Sequence, residues 1–160
     1  MLEIIKEFSS EILTFAIAML PVAELRAAIP YAVLNGLPWW LAYILSVLGN
    51  LLPVPFILVF IKKIIEWMSK SKHFYKIGDW LLNKAQKNVA KVQKYELIGL
   101  AIFVAIPLPG TGAWTGAMAA GVLGLRFKFS MISIIIGVII AGFIMSVLSY
   151  GVAAIIPAIG

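Results

Sequence analysis

The sequence predicts an all-α integral membrane protein. Of its 160 residues, 62% are hydrophobic and 12% are charged, and the mean hydropathy is +1.04. A soluble domain of this length could not bury so many apolar side chains. Two apolar stretches, residues 12–61 and 97–157, are each more than twice the roughly 20 residues that a helix needs to cross a bilayer. We therefore predict about four apolar helical segments in one membrane domain, residues 1–160.

The amino-terminal segment is predicted to stay in the membrane domain rather than to be a cleaved secretory signal. A signal begins with basic residues, whereas acidic Glu3, Glu7 and Glu11 stand at that position here. No obvious cleavage site with small residues precedes the next apolar stretch.

Residues 12–36 are predicted to form a re-entrant hairpin, which enters the membrane and returns to the same side, and residues 39–61 a transmembrane helix. Pro21 interrupts the first stretch, and Glu24 and Arg26 follow it. An ionised side chain at the membrane centre costs roughly 2.5–3.5 kcal/mol, so each of the two should pair or face water. Because residues two apart lie on different faces of a helix, they are poor partners for each other.

The polar residues of the first half have several candidate roles. Glu24 could cap the half-helix that follows it or carry a proton, and Arg26, which is always charged, is suited to bind an anion. Alternatively, the pair anchors the hairpin at the membrane interface. Asn50 could line a path or form a hydrogen bond between helices, although packing is the simpler expectation.

Residues 62–96 are predicted to be a cytoplasmic connector. Nine of the thirteen basic residues lie between Lys62 and Lys94, and the only acids there are Glu66 and Asp79. Basic loops beside membrane spans stay on the cytoplasmic side. Apolar residues at three- and four-residue steps predict an amphipathic helix whose lysines contact anionic lipids, the alternative being a solvated connector. Nucleic-acid binding is not expected, because no reader motif accompanies the lysines.

Residues 97–124 are predicted to form a second re-entrant hairpin and residues 127–150 a second transmembrane helix. Two prolines cannot donate main-chain hydrogen bonds, so the first helix here should end near Ile106, and two glycines then permit a sharp turn. The alternative is a kinked continuous span that packs through small residues. The four residues that interrupt the stretch are Pro107, Pro109, Gly110 and Gly112.

The two halves correspond when the sequence is shifted by 88 positions, which indicates an internal repeat. Four full crossings would place Arg126 and Lys128 outside the cell, whereas two hairpins would place them inside with the lysines. The positive-inside rule therefore favours two hairpins. Because these hairpins open on opposite sides of the membrane, the two halves are predicted to be inverted repeats. The coinciding helix breakers are Pro21 with Pro109, Gly36 with Gly124, and Gly49 with Gly137.

The second arms of the hairpins, from about Leu25 and Gly112, are predicted to begin near the membrane midplane. Helix amino termini carry unpaired N–H groups and partial positive charge. With Arg26 close by and Thr111 placed to cap a helix, these termini predict a site for an anionic head group such as phosphate. Trp114 could contact a substrate, although packing is the simpler expectation.

No enzyme signature accompanies these residues. The sequence has no P-loop, no nucleophile elbow and no His/Glu cluster with the spacing of metal ligands. The absence of cysteine excludes disulfides and thiolate metal sites. We therefore expect neither catalysis nor a bound metal or cofactor.

The stretches ELRAAIPYA (24–32) and PLPGTGAWTGA (107–117) resemble the small multidrug export family of prokaryotic membrane proteins. More distantly, the chain is similar to the DedA and VTT membrane proteins, whose two opposed re-entrant hairpins are implicated in moving lipids. Their two hairpin motifs occur in the opposite order, and the acid that ends their turn is replaced here by threonine. The positions that the resemblance implies are Glu24, Arg26, Pro30, Pro107, Pro109, Gly110 and Thr111.

These patterns lead us to expect a transporter that moves an amphipathic, anionic lipid-like molecule, such as a lipid phosphate or phospholipid. The first alternative is a proton-coupled small multidrug exporter that uses Glu24, and the second is a non-transporting membrane scaffold or assembly factor. Because two full spans can shield little of two hairpins from lipid, we expect a homo-oligomer. The expected location is the prokaryotic inner membrane, with several passes.

Overall fold

The computed structural model describes residues 2–70, 93–108 and 110–159, which form seven helices and no strand. The all-α fold predicted from the sequence is therefore confirmed. Most of the predicted connector, residues 71–92, lies outside the described residues, as does Pro109. The helices are α1 (Leu2–Met19), α2 (Glu24–Leu34), α3 (Trp39–Leu51), α4 (Val54–Lys70), α5 (Gln93–Ala105), α6 (Ala113–Val122) and α7 (Phe127–Ile159).

Two short helices follow the two predicted interruptions. The first helix, α1, ends at Met19, and α2 has 11 residues; α5 ends at Ala105, and α6 has 10 residues. At 1.5 Å per residue, α2 and α6 are about 15–17 Å long, roughly half of the 30 Å hydrocarbon layer. The end of α5 agrees with the end near Ile106 that Pro107 predicts. Neither short helix can cross a bilayer by itself.

The chain folds back on itself at the second interruption. A Cβ placed on Gly116, in the first turn of α6, would overlap Val104 and lie 3.5 Å from Leu100, one turn earlier in α5. A continuous helix would separate residues 100 and 116 by about 24 Å. The alternative of a kinked but continuous span is therefore wrong for this stretch.

Two longer helical segments are apolar enough to cross a membrane, Trp39–Ile64 and Phe127–Ile155. The first comprises α3 and most of α4, with a break at Leu52 and Pro53, where proline cannot donate its main-chain hydrogen bond. The predicted ranges 39–61 and 127–150 lie inside these segments. Segments of this length and hydropathy are typical of helices that span a membrane.

The two long segments run antiparallel. Near the start of the first, the carbonyl of Leu37 accepts a hydrogen bond from the hydroxyl of Tyr150 at 2.6 Å. Further along, a Cβ on Gly142 would lie 3.0 Å from both Tyr43 and Val47. Residues with higher numbers in the first segment thus contact residues with lower numbers in α7. Four full crossings of the membrane would instead make these segments parallel.

Both short helices end in the same hydrogen-bonded turn, at positions 88 apart. In the first half, the N–H of Leu37 donates to the carbonyl of Ala32, and the N–H of Gly36 donates to the carbonyl of Val33. In the second half, Leu125 donates to Ala120 and Gly124 to Gly121. The two glycines have similar positive φ angles of 74° and 68°. This agreement supports the internal repeat predicted from the placement of helix breakers.

Tertiary contacts also follow the predicted repeat. Gly49 of α3 touches α1 at Phe15 and Ala18, and Gly137 of α7 touches α5 at Val104. Each short helix also packs on the long segment of the other half, α2 on α7 and α6 on α4. Each short helix therefore packs on helices of both halves, and the starts of α2 and α6 meet where Glu24 contacts Trp114.

The buried core contains small and medium side chains from both halves, including Leu25, Val47, Ala113 and Val138. Large apolar side chains cover the outside instead; Phe56, Phe60 and Phe143 are each more than 60% exposed. A surface of this kind is compatible with lipid or with a second protein chain but not with water.

Candidate functional site

The two interruptions meet at a cluster of polar contacts that we call the junction. The first interruption, residues 20–23, leads into Glu24 and α2, and the second, residues 106–112, leads into α6. The junction consists of Met19, Glu24, Arg26, Thr111, Gly112 and Trp114.

Glu24 connects the start of α2 to the start of α6. Its side chain is 3% exposed, and Oε1 accepts a hydrogen bond from the main-chain N–H of Trp114 at 3.1 Å. Trp114 is the second residue of α6, so the carboxylate lies at the positive end of that helix and caps it. The prediction that Glu24 caps its own helix is wrong, because its carboxylate is bonded to the other half. The N-cap position of α2 is Ala23, which has no side-chain cap.

Gly112 has no side chain, and this leaves room for the carboxylate of Glu24. A Cβ on Gly112 would overlap Oε2 of Glu24 and lie 2.7 Å from its Cδ. The residue also has a φ of 118°, which disfavours any side chain. Two independent requirements therefore fix glycine at this position, and glycine in turn lets Glu24 approach the amino terminus of α6.

Arg26 holds the loop before α6. Its Nη2 donates to the carbonyl oxygen of Thr111 at 2.5 Å and to Oγ1 of Thr111 at 2.8 Å. The Thr111 hydroxyl has its own acceptors within the loop, the carbonyls of Ile106 at 2.6 Å and Leu108 at 2.8 Å. The prediction that Thr111 caps the helix is wrong, because its hydroxyl is bonded within the loop. The N-cap of α6 is Gly112.

Trp114 makes a third contact between the halves. Its indole Nε1 donates to the carbonyl oxygen of Met19 at 3.1 Å. Met19 is the last residue of α1, where carbonyl groups have no partner within the helix. The side chain of Trp114 therefore caps the end of α1, while its main-chain N–H donates to Oε1 of Glu24. This contact is a structural use of the indole.

Each charge of the junction is bonded to neutral groups of the other half. The Glu24 carboxylate receives a main-chain N–H, and the Arg26 guanidinium contacts a carbonyl and a hydroxyl. The two side chains thus have separate partners, as their spacing of two residues predicts. The amino terminus of α6, where we predicted an anionic head group, already receives the carboxylate of Glu24.

The remaining predicted residues lie at different depths. Pro30 is half-buried inside α2, and Pro107 is half-buried in the loop after α5. Gly110 is exposed with a φ of 85°. Asn50 is 1% exposed, and neither polar atom of its side chain has a hydrogen-bond partner among the described residues. Pro109 lies outside the described residues.

Sequence reasoning missed the partners that complete the junction. The carbonyl of Met19 and the main-chain N–H of Trp114 are groups that every residue carries, so no residue type signals them. The glycine at position 112 was the available signal, since a helix start without a side chain can admit a carboxylate from elsewhere. In the described parts of the chain, no group of three His, Cys, Asp or Glu could hold a metal ion.

A protein-family model described as "Putative small multi-drug export protein" matches residues 24–144. This range contains every residue of the junction except Met19, and it covers the first long segment and most of the second. No curated protein and no solved structure matches the chain. The more distant resemblance to DedA and VTT proteins therefore stays a prediction.

Proposed function

Because the chain belongs to the small multi-drug export protein family, we propose that it exports amphipathic compounds across the membrane in exchange for protons bound at Glu24. The observation that carries this proposal is the carboxylate of Glu24, buried at the contact between the two halves. Ionisable side chains at membrane depth are costly and characteristically serve substrate paths and proton relays. The protein on this proposal is a transporter and not an enzyme, and it needs no cofactor.

Glu24 couples proton binding to the contact between the halves. The ionised carboxylate interacts favourably with the positive end of α6, and a proton removes that charge. Protonation therefore weakens the link between Glu24 and Trp114 and lets the junction separate. A cationic amphipathic compound competes with the proton for the same carboxylate, so that binding of one releases the other. This competition favours amphipathic cations as substrates.

The same proposal includes a topology of two inverted repeats, each with a re-entrant hairpin. The antiparallel long segments and the two helices that are too short to span support it. A Cβ on Gly121 would overlap Ile61, so the end of α6 lies beside Lys62 and Lys63. Arg126 follows α6 directly, which gathers these cations at one end of the molecule. By the positive-inside rule that end is cytoplasmic.

We propose a multi-pass location in the prokaryotic inner membrane, with residues 62–96 on the cytoplasmic side against anionic lipids. Oligomer formation belongs to the same proposal. Support comes from the exposed apolar surface and from an open groove between α5 and α7 with a volume of about 380 Å³. Neither nucleic acid nor a soluble protein partner is required.

A second candidate is transport of an anionic lipid-like molecule, and two observations favour it. Among the described residues, Arg26 donates its hydrogen bonds to neutral groups of Thr111, which a phosphate could replace. The groove between α5 and α7 reaches Ala105, at the end of the helix before the Thr111 loop, and its apolar lining suits an alkyl chain. This candidate ranks second because the amino terminus of α6 already receives the carboxylate of Glu24.

Transport into vesicles separates these candidates. Vesicles that contain the purified protein are given a proton gradient and either a lipophilic cationic dye or a fluorescent lipid phosphate. We expect proton-driven dye movement with the wild type and with the matched control Glu11→Gln, no movement with Glu24→Gln, and partial movement with Arg26→Ala. Lipid movement that needs Arg26 and survives Glu24→Gln would instead establish the second candidate. If wild-type vesicles move neither probe, the remaining candidate is the non-transporting scaffold or assembly factor.

A further inference from the structure

Three buried polar side chains outside the junction have no partner within the described protein. Ser46 is fully buried, Asn50 is 1% exposed and Ser146 is 6% exposed. The hydroxyl oxygens of both serines, and both the oxygen and the nitrogen of the Asn50 amide, form no hydrogen bond with any described residue. We call these three residues the polar line.

Other buried hydroxyls in this protein are satisfied locally. Thr14 donates to the carbonyl of Ser10 at 2.7 Å, and Ser130 donates to that of Arg126 at 3.1 Å, in each case four residues earlier in the helix. Ser46 and Ser146 have the same opportunity in their helices and do not use it. Buried polar groups in proteins are almost always hydrogen-bonded, because an unsatisfied group is costly. The unpaired groups of the polar line are therefore suited to bind a ligand that can form hydrogen bonds.

The first two members lie on the face of α3 that looks toward the core. Ala42, Ser46 and Asn50 follow at steps of four residues and share that face. Ala42 packs with Ala32 of α2. On either side of Asn50, Val47 and Val54 belong to the cluster of buried residues that contains Leu25 and Ala113. Asn50 thus lies beside this buried cluster, to which the starts of α2 and α6 also contribute.

The third member lies on the face of α7 that packs on α3. Gly142, Ser146 and Tyr150 also follow at steps of four. A Cβ on Gly142 would lie 3.0 Å from Tyr43, and the hydroxyl of Tyr150 donates to the carbonyl of Leu37. Ser146 lies between these two contacts. It therefore occupies the same interface, closer to the turn between α2 and α3.

The depths of these residues form a series. Helices α2 and α3 are joined by a turn at residues 35–38, so both can be measured from it. At 1.5 Å per residue, Ser146 lies about 6 Å below the level of Tyr150, Ser46 about 10 Å below the turn, and Asn50 about 16 Å below it. Glu24 lies about 15 Å below the turn along α2. The polar line thus begins near one end of the molecule and ends at the depth of Glu24.

We propose that the polar line binds a chain of water molecules that connects Glu24 with the aqueous phase at the α2–α3 turn. This inference rests on the proposed function, in which Glu24 exchanges protons. A proton enters from hydronium, each water forms one O–H bond as it gives up another, and the last proton is bonded to an oxygen of Glu24. Neutral hydroxyl and amide groups suit such a path, because they bind water without trapping an ion.

The path opens on the side opposite to the cytoplasmic cations. Its entrance lies at the start of the Trp39–Ile64 segment, whereas Lys62 and Lys63 lie at the other end. Glu24 therefore receives protons from the outside, as an exporter driven by an inward proton gradient requires. The described titratable side chains on the surrounding helices are Glu11 on α1, Arg26 and Tyr31 on α2, Tyr43 on α3, and Lys128 and Tyr150 on α7.

Reaction of single cysteines with silver ions tests the path, since the natural chain contains no cysteine. Ag⁺ is small enough to follow water and reacts with the thiolate, which forms only where water reaches. The variants are Ser46→Cys and Ser146→Cys, and the matched control is Ala117→Cys, which is fully buried at 0% exposure. Ala117 belongs to α6, which begins beside Glu24 and runs away from the α2–α3 turn toward Ile61. After exposure to Ag⁺ the protein is unfolded and treated with an alkylating reagent. A thiol that has already reacted with Ag⁺ is not alkylated, so the extent of reaction is measured without any transport assay.

We expect Ag⁺ added at the α2–α3 side to modify Ser146→Cys and Ser46→Cys at least about tenfold faster than Ala117→Cys, since thiol reactivity follows thiolate access. Equal, slow reaction at all three positions would overturn the proposal. A rate difference together with unimpaired transport by Glu24→Gln would refute the proposed function and keep the water path. Equal, slow reaction at all three positions together with loss of transport in Glu24→Gln would refute only the water path.

Discussion

The carboxylate of Glu24 accepts a hydrogen bond at 3.1 Å from the main-chain N–H of Trp114, a residue 90 positions away in the other half of the chain. Through this bond, a residue at the start of one short helix caps the start of the other. Arg26 and the indole of Trp114 add two further links between the halves. The stability of the junction therefore depends on contacts between halves rather than on caps within each helix.

Neutralising Glu24 should weaken this cap without removing it. In Glu24→Gln the side-chain oxygen can still accept the N–H of Trp114, but the interaction between charge and helix dipole is lost. We expect the free energy of unfolding in detergent to fall by about 1–2 kcal/mol. The matched control Glu11→Gln, on α1 and outside the junction, should stay close to wild type. An equal effect of the two substitutions would contradict a specific role for Glu24 as the cap of α6.

Adding a methyl group to Gly112 should be more damaging than adding one to Gly110. Both glycines have positive φ, and each substitution incurs a backbone cost of about 1–3 kcal/mol. Only at Gly112 does the new Cβ also overlap Glu24; a Cβ at Gly110 meets nothing within 4 Å. We therefore expect Gly112→Ala to lower the thermal midpoint further than Gly110→Ala. Glu24→Asp shortens the side chain that the new Cβ overlaps. The double variant Gly112→Ala/Glu24→Asp should therefore recover part of the thermal midpoint lost in Gly112→Ala.

The contact between Arg26 and Thr111 should give a measurable coupling energy. Thr111→Val keeps the shape of the side chain but removes the hydroxyl that receives Nη2 of Arg26. A double-mutant cycle with Arg26→Ala should return about 1–2 kcal/mol of coupling in the free energy of unfolding. Thr115→Val is the control, because the Thr115 hydroxyl donates only to Gly112 within its own half. Coupling of similar size at Thr115 would argue against a specific Arg26–Thr111 link.

The re-entrant topology predicts which positions are reached from the same side of the membrane. Single cysteines at Lys63 and Arg126 should react with an impermeant thiol reagent from one side, and a cysteine at Asn35 from the other. All three side chains are exposed in the structure. Reaction of Arg126→Cys from the same side as Asn35→Cys would indicate four full crossings and exclude the hairpins.

Local sequence signals predicted some helix ends but not the break between α3 and α4 at Leu52 and Pro53. Proline lacks an N–H group wherever the rest of the chain lies, so the end of α5 near Ile106 could be predicted. The matching breakers 88 positions apart likewise indicated the repeat. The partners of Glu24 and Thr111 could not be predicted, because they depend on how the halves pack. Ser46 and Ser146 were overlooked because serines are frequent in membrane helices and usually bond to their own main chain.

The most direct test of Glu24 as the exchange site is proton release when a substrate binds. The purified protein in weakly buffered detergent solution is mixed with a lipophilic cation, and a pH indicator follows the released protons while dye fluorescence follows binding. We expect binding with proton release for the wild type and Glu11→Gln, and no proton release for Glu24→Gln. Proton release by Glu24→Gln equal to that of the wild type, at equal occupancy of the cation, would contradict exchange at Glu24.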